Sequence, residues 1–251
     1  MSEVSSVYGK SNLFINRLKF FGIEWWKWLA VILCFYSIIG GFLISVPELP
    51  ILHETIRNLY FHVPMWWGMM VLMLVSMISG IIYLSNGNMK YDIIACEAVN
   101  VGILLGLLGL ATGSVWAKFT WSSTGFFEPD GWWVNDVRLN GAAITVLIYF
   151  AYIILRNSMD EEQKRARIAA VYSIFAYAML IVFLMILPRL NDSLHPGTGG
   201  NPAFGKYDLD NTMRMVFYPS VIGWVLLAVW LLNIMIRVRV VRHKMLINQF
   251  K

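Results

Sequence analysis

The sequence predicts an all-α membrane protein, a polytopic bundle of six transmembrane helices with both termini in the cytoplasm. Three observations carry this. Of 251 residues, 58% are hydrophobic and only 14% are charged, against about 25% charged in a soluble domain. The apolar residues gather in six blocks, near Trp25–Val46, Pro64–Leu84, Cys96–Trp116, Val137–Leu155, Ile168–Leu187 and Met215–Ile236. The basic residues divide unequally between the segments that join them.

Each block is roughly 20 residues long, the length a helix needs to cross the hydrocarbon core. In lipid such a block must be helical, because only a helix satisfies its backbone hydrogen bonds within one segment. Orientation follows from charge. Fourteen Lys and Arg fall in the N-terminal segment, the second and fourth connections and the C-terminal tail, and six fall on the other side. The positive-inside rule places the richer set in the cytoplasm. The net charge of +5 is therefore a membrane-orientation signal and not a nucleic-acid surface. Eleven Trp, eleven Tyr and fifteen Phe suit the two interfaces of a bilayer.

Residues 1–251 read as a single integral membrane domain with no internal repeat. Cys34 and Cys96 form no CxxC pair, which excludes a thiol-redox motif, a zinc knuckle and a disulfide scaffold. The first apolar block is too long for a cleavable signal peptide and lacks a small-residue cleavage site.

The connections predicted to face outward are Pro47–Val63, Ala117–Asp136 and Pro188–Arg214, and they contain three of the four histidines, His53, His62 and His195. All are longer than a minimal helix connection of about 2–8 residues. The inner connections, Ser85–Ala95 and the one holding Asp160–Glu161–Glu162, read as short polar or solvated links. Function is expected on the outer face.

Within 117–136 and its approach, Trp116, Trp121, Trp132, Trp133 and Asp136 fall within 21 positions. An interfacial aromatic belt accounts for single tryptophans at helix ends. The density here favours a flat aromatic platform for a large planar ligand. In Arg57–Asn–Leu–Tyr60–Phe61–His62–Val63–Pro64, a histidine stands at the start of the second helix, where it could equally be a wet cap residue. Leu194–His195–Pro196 offers it a partner from a separate outer connection. Neutral imidazoles are common metal ligands. Two histidines without thiolates or clustered carboxylates suit haem iron better than structural zinc. His53 competes with His62 but reads as solvated, and His243 sits in the basic tail. Arg57 and Arg138 could pair with carboxylates of a tetrapyrrole, and Asp136 is the alternative partner for Arg138.

Gly113–Ser–Val–Trp116, Trp121 and Trp132–Trp–Val–Asn–Asp136–Val–Arg138 together resemble the tryptophan-rich "WWD" signature of haem-handling membrane proteins. Arg57–x–x–Tyr60–Phe–His62–Val–Pro64 resembles the first histidine motif of the haem exporter protein C (cytochrome c maturation protein C) family. The likeness runs from about Trp25 to Ile236. It implies haem b held non-covalently at the periplasmic face of the bacterial inner membrane, within a tryptophan-rich haem-binding loop at 117–136. It implies His62 and His195 as axial ligands, with Trp116, Trp121, Trp132, Trp133, Asp136, Arg57 and Arg138 around the cofactor. It further implies delivery of haem to a periplasmic haem chaperone, with ATP-binding-cassette (ABC) transporter subunits and a small membrane subunit as partners. No enzymatic activity is implied. Two departures stand out: Asn135 replaces the third tryptophan of the family pattern, and the 122–131 and 198–202 stretches look expanded.

Three other readings compete. A synthase of the other cytochrome c assembly route also carries the motif, but such chains are longer. A haem b electron-transfer subunit of a quinol oxidoreductase would bury histidine pairs within its spans, and no histidine is expected inside a span here. A midplane transporter would need charges deep in the spans, where only Glu97, near an end, qualifies.

The charge asymmetry makes a direct prediction. Cysteines introduced at Ser123 and Thr198 should react with an impermeant thiol reagent from outside, while one at Ser158 should not. Labelling of Ser158 from the periplasm would invert the topology.

Overall fold

The computed structural model describes residues 19–20, 23–49, 52–121, 132–193, 195 and 209–249. A minimal antiparallel ladder, β1 (Lys19–Phe20) with β2 (Ile23–Glu24), leads into α1 (Trp25–Leu43). A 3-10 turn over His53–Asn58 runs directly into α2 (Leu59–Asn86). Then follow α3 (Met89–Trp121), α4 (Val137–Asn157), α5 (Glu162–Leu190) and α6 (Asn211–Gln249). Within α5 a π-helical turn occupies Val182–Ile186. All six helices are long and apolar enough to cross a membrane.

The helices outrun the apolar blocks. At 33 residues, α3 is about 50 Å long, well beyond a hydrocarbon core of about 30 Å. Two expectations change as a result. The polar Ser85–Ala95 connection shrinks to a turn at Gly87 and Asn88, where Gly87 takes the left-handed conformation (φ 66°) and its N–H bonds the Tyr83 carbonyl at 2.8 Å. Ala117–Trp121, expected in a loop, is the last part of α3.

The packing of α2 against α3 organises the bundle. Four glycines of α3 receive four large side chains of α2. A methyl group built on Gly113, Gly109, Gly106 or Gly102 would lie 2.6, 2.8, 2.6 or 2.7 Å from His62, Trp66, Met69 or Met73 respectively. Small residues allow such close approach, and close packing is what associates helices in lipid, where burial from water contributes nothing. Around this seam lie the fully buried Leu72, Val99, Tyr149 and Leu180.

Besides Pro188 near the end of α5, two prolines sit inside helices, Pro64 in α2 and Pro219 in α6. Each of these two removes the hydrogen bond to the carbonyl four residues earlier, and lipid cannot replace it. Neighbouring helices do. The Tyr60 carbonyl accepts from the Ser220 hydroxyl at 2.5 Å, and the Met215 carbonyl accepts from the Tyr36 hydroxyl at 3.1 Å.

The end of the bundle where α1 begins and α6 finishes is closed by ion pairs. Glu24, just before α1, bonds Lys27 and approaches Arg237 of α6 at 3.8 Å. Hydrogen bonding from Lys27 is the main cause that holds the Glu24 carboxyl below its ordinary pKa. Glu97 accepts from Arg239 at 2.9 Å and from Asn100 at 3.0 Å. Asp92 and Arg156 form a two-pronged bridge of 2.6 and 2.5 Å with both side chains 4% exposed.

The last pair makes a prediction. Removing one partner of a buried ion pair typically costs about 3–5 kcal/mol, whereas replacing both with apolar residues is often neutral. Asp92→Ala should destabilise the detergent-solubilised protein by that order, and Asp92→Leu with Arg156→Met should recover most of it in the same unfolding assay.

Candidate functional site

At the opposite end the bundle is open. A cleft of about 830 Å³, counted out to its mouth, is walled by α2, α3, the start of α4 and the end of α5, with His195 beside it. On α2 the residues at one face, His62, Trp66 and Met70, run down one wall. His62 and Trp66 pack closely against α3 because Gly113 and Gly109 offer no side chains in their path. The π turn and the residues just beyond it supply Leu184, Met185 and Pro188 to the opposite wall. There Gly141 of α4 lets the Phe183 carbonyl approach to within 2.5 Å of where a Cβ would stand.

The two expected histidines meet here. His62 lines the cleft from the first turns of α2, and His195 lines it from the segment between α5 and α6. Nδ1 of His62 lies 3.1 Å from the Thr112 hydroxyl of α3. The His195 ring stands edge-on to Trp116 and Trp121, 6.3 Å from each, and those two tryptophans stand 5.5 Å apart at 78°. The Trp116 indole N–H donates to Thr55 at 3.2 Å. Arg138, in the first turn of α4, also lines the cleft and approaches Nδ1 of His195 at 3.4 Å. His53 is exposed on the 3-10 turn and is not part of the lining.

His62 belongs to one continuous helical span, His53–Asn86, which corrects the expectation that no span holds a histidine. The proline two residues later does not start the helix, because Ser220 compensates the carbonyl it frees.

Four other expected site residues stand outside the lining. Arg57 closes the C-terminal end of α1, donating to the Gly41 and Ile44 carbonyls at 2.8 and 2.6 Å and pairing with Glu54. Asp136 is the N-cap of α4, accepting from the Arg138 and Leu139 amides. Its second oxygen accepts from the Ser193 hydroxyl at 2.6 Å, and that hydroxyl accepts the His195 amide at 3.1 Å. Asp136 thus ties the His195 backbone to the start of α4. Trp132 and Trp133 are 58% and 43% exposed. Trp133 donates to Asn140 at 2.8 Å, and Asn140 donates to Asn135 at 2.7 Å, so the residue that departs from the family pattern holds its neighbour in place. The expanded stretches at 122–131 and 198–202, and the side chain of His243, lie outside the described residues.

Trp66, Thr112 and the π-turn residues were missed by sequence reasoning. The glycine spacing on α3 was a readable sign of a close-packed face. The π turn carries no comparable signal.

The arrangement offers two imidazoles, aromatic edges and one guanidinium in an otherwise apolar cleft. Among the described residues no group of three or more His, Cys, Asp or Glu could form a metal cluster. Fold and site together define a polytopic membrane protein with an apolar cleft, lined by two histidines, at one end of its helical bundle. The sequence profile of heme exporter protein C matches residues 5–251, and the chain belongs to that family. The heme exporter protein C of Paracoccus denitrificans is 24% identical over 209 residues, covering 83% of this chain and 82% of its own length. That of Escherichia coli (strain K12) is 26% identical over 176 residues, 68% of this chain and 65% of its own length. Cytochrome c biogenesis protein CcsA of Prochlorococcus marinus is 34% identical over 86 residues, 34% of this chain and 25% of its own length.

The Asp136–Ser193–His195 link is testable by hydrogen exchange. Asp136→Ala should cost about 1 kcal/mol as a lost N-cap. It should also speed exchange at the Arg138, Leu139 and His195 amides together. Acceleration confined to the first two would show that Ser193 does not couple His195 to the cap.

Proposed function

We propose that this protein holds haem b non-covalently in the cleft and passes it on during cytochrome c maturation. The observation that carries the reading is the meeting of His62 and His195, distant in sequence, at one apolar cleft. Haem supplies an iron with two axial positions, and His62 and His195 are the residues that would fill them. Trp116 and Trp121 would pack against the ring system, and Arg138 would receive a propionate. Arg57 and Asp136 act from behind the cleft, one anchoring the end of α1 and the other holding His195. Exposed Trp132 and Trp133, beside the turn that bears Arg138, form a platform for haem on its way out.

Delivery goes to a periplasmic haem chaperone, with ABC transporter subunits and a small membrane subunit as partners. The setting is the bacterial inner membrane, with both termini cytoplasmic and the cleft facing the periplasm. The positive-inside distribution supports that orientation, and the matched family supports the role. No CxxCH sequence is present, which supports non-covalent binding. The haem b electron-transfer reading has less support: electron transfer across a bilayer needs a second site at the other end, where Asp92 with Arg156 and Glu97 with Arg239 form ion pairs.

The absorption spectrum tests this. The purified protein should carry extractable b-type haem with a low-spin, six-coordinate spectrum. His62→Ala and His195→Ala should each lose that signature, and added imidazole should restore it. A preparation that holds no haem and cannot take up added haem would refute the proposal.

A further inference from the structure

The two cleft histidines are held by opposite hydrogen-bond chemistry. The Thr112 hydroxyl lies 2.8 Å from the Leu108 carbonyl and 3.1 Å from the Gly109 carbonyl. Both can only accept, so its single proton is committed to the helix. Toward Nδ1 of His62, 3.1 Å away, the hydroxyl is therefore the acceptor. The neutral ring carries its proton on Nδ1 and keeps the lone pair on Nε2. A histidine that ligates a metal through one nitrogen usually donates its other N–H in this manner.

At His195 the partner is a guanidinium, which can only donate. Arg138 Nη1 faces Nδ1 at 3.4 Å, so Nδ1 is the acceptor and the ring proton sits on Nε2. Ligation through Nδ1 would use the lone pair that Arg138 occupies. Ligation through Nε2 would first require that proton to move to Nδ1, where it would meet the guanidinium. By either nitrogen, iron and Arg138 exclude one another. At His62, iron on Nε2 and the Thr112 contact coexist.

We propose that the two histidines are unequal ligands: His62, set by Thr112 as a positioning residue, is the permanent one, and His195 is the one that lets go. This rests on the reading above that both ligate haem. Were His195 to bind the iron, Arg138 would be freed for a carboxylate such as a propionate, and its return to His195 would compete with that bond.

The test uses the full-length, haem-loaded ferric protein in detergent. His195→Ala should retain its haem and capture cyanide at least about tenfold faster than wild type, its axial position being open. His62→Ala should keep less than about a tenth of its haem through gel filtration, and added imidazole should restore retention, which separates a lost ligand from a lost fold. Thr112→Val, isosteric but without the acceptor, should lower haem retention roughly tenfold, the low end of second-shell effects. Thr112→Ser should return it, with melting unchanged in both. Equal retention in the two alanine variants, the reverse order, or a Thr112→Val protein identical to wild type would each overturn the inequality while leaving ligation intact. If neither alanine variant alters the spectrum, ligation itself is wrong and the inequality falls with it.

Discussion

The glycine-lined seam between α2 and α3 sets the geometry of everything else. His62, Trp66, Met69 and Met73 enter holes at Gly113, Gly109, Gly106 and Gly102. The residue numbers rise on one helix as they fall on the other, the register of an antiparallel hairpin closed at Gly87. In lipid no hydrophobic force draws helices together, so contact of this kind must come from shape. The same seam that holds the hairpin sets the His62 ring and the Trp66 indole close against α3. A slip along it would move the histidine away from Thr112. Site and packing are the same contacts here, seen from two sides.

The two ends of the bundle are built for different tasks. At the end where α1 begins, buried or half-buried carboxylates meet arginines from other helices, Asp92 with Arg156 and Glu97 with Arg239. Such pairs satisfy charges that lipid would otherwise penalise heavily. At the other end charge is sparse inside the cleft, and aromatic edges and the π turn form the walls. The prolines at 64 and 219 belong to the same logic. Each opens a carbonyl that a side chain of another helix closes, which ties α2 to α6 and α6 to α1.

Motif residues turn out to act at different distances from the cleft. Trp116, Trp121 and Arg138 line it, while Asp136 works through a cap and a serine, and Arg57 caps a helix that does not line it. A motif marks where a local structure is needed, and that structure can be a scaffold as readily as a contact surface.

The number of helices and their apolar stretches were legible in the sequence, because hydropathy and helix length are local properties. So were the two histidines that now share a cleft, through their residue types and their resemblance to a family. Helix ends were not legible. Trp121 is helical and His62 lies within a span because neighbouring helices satisfy backbone groups and polar side chains that composition alone would leave to water. Nor could the sequence assign partners. Thr112 takes its role from facing His62 across a packed seam, Asp136 from a serine near the end of α5, and Arg138 from a histidine in a distant connection. Those pairings depend on the register and tilt of whole helices, which are decided only when all six pack together.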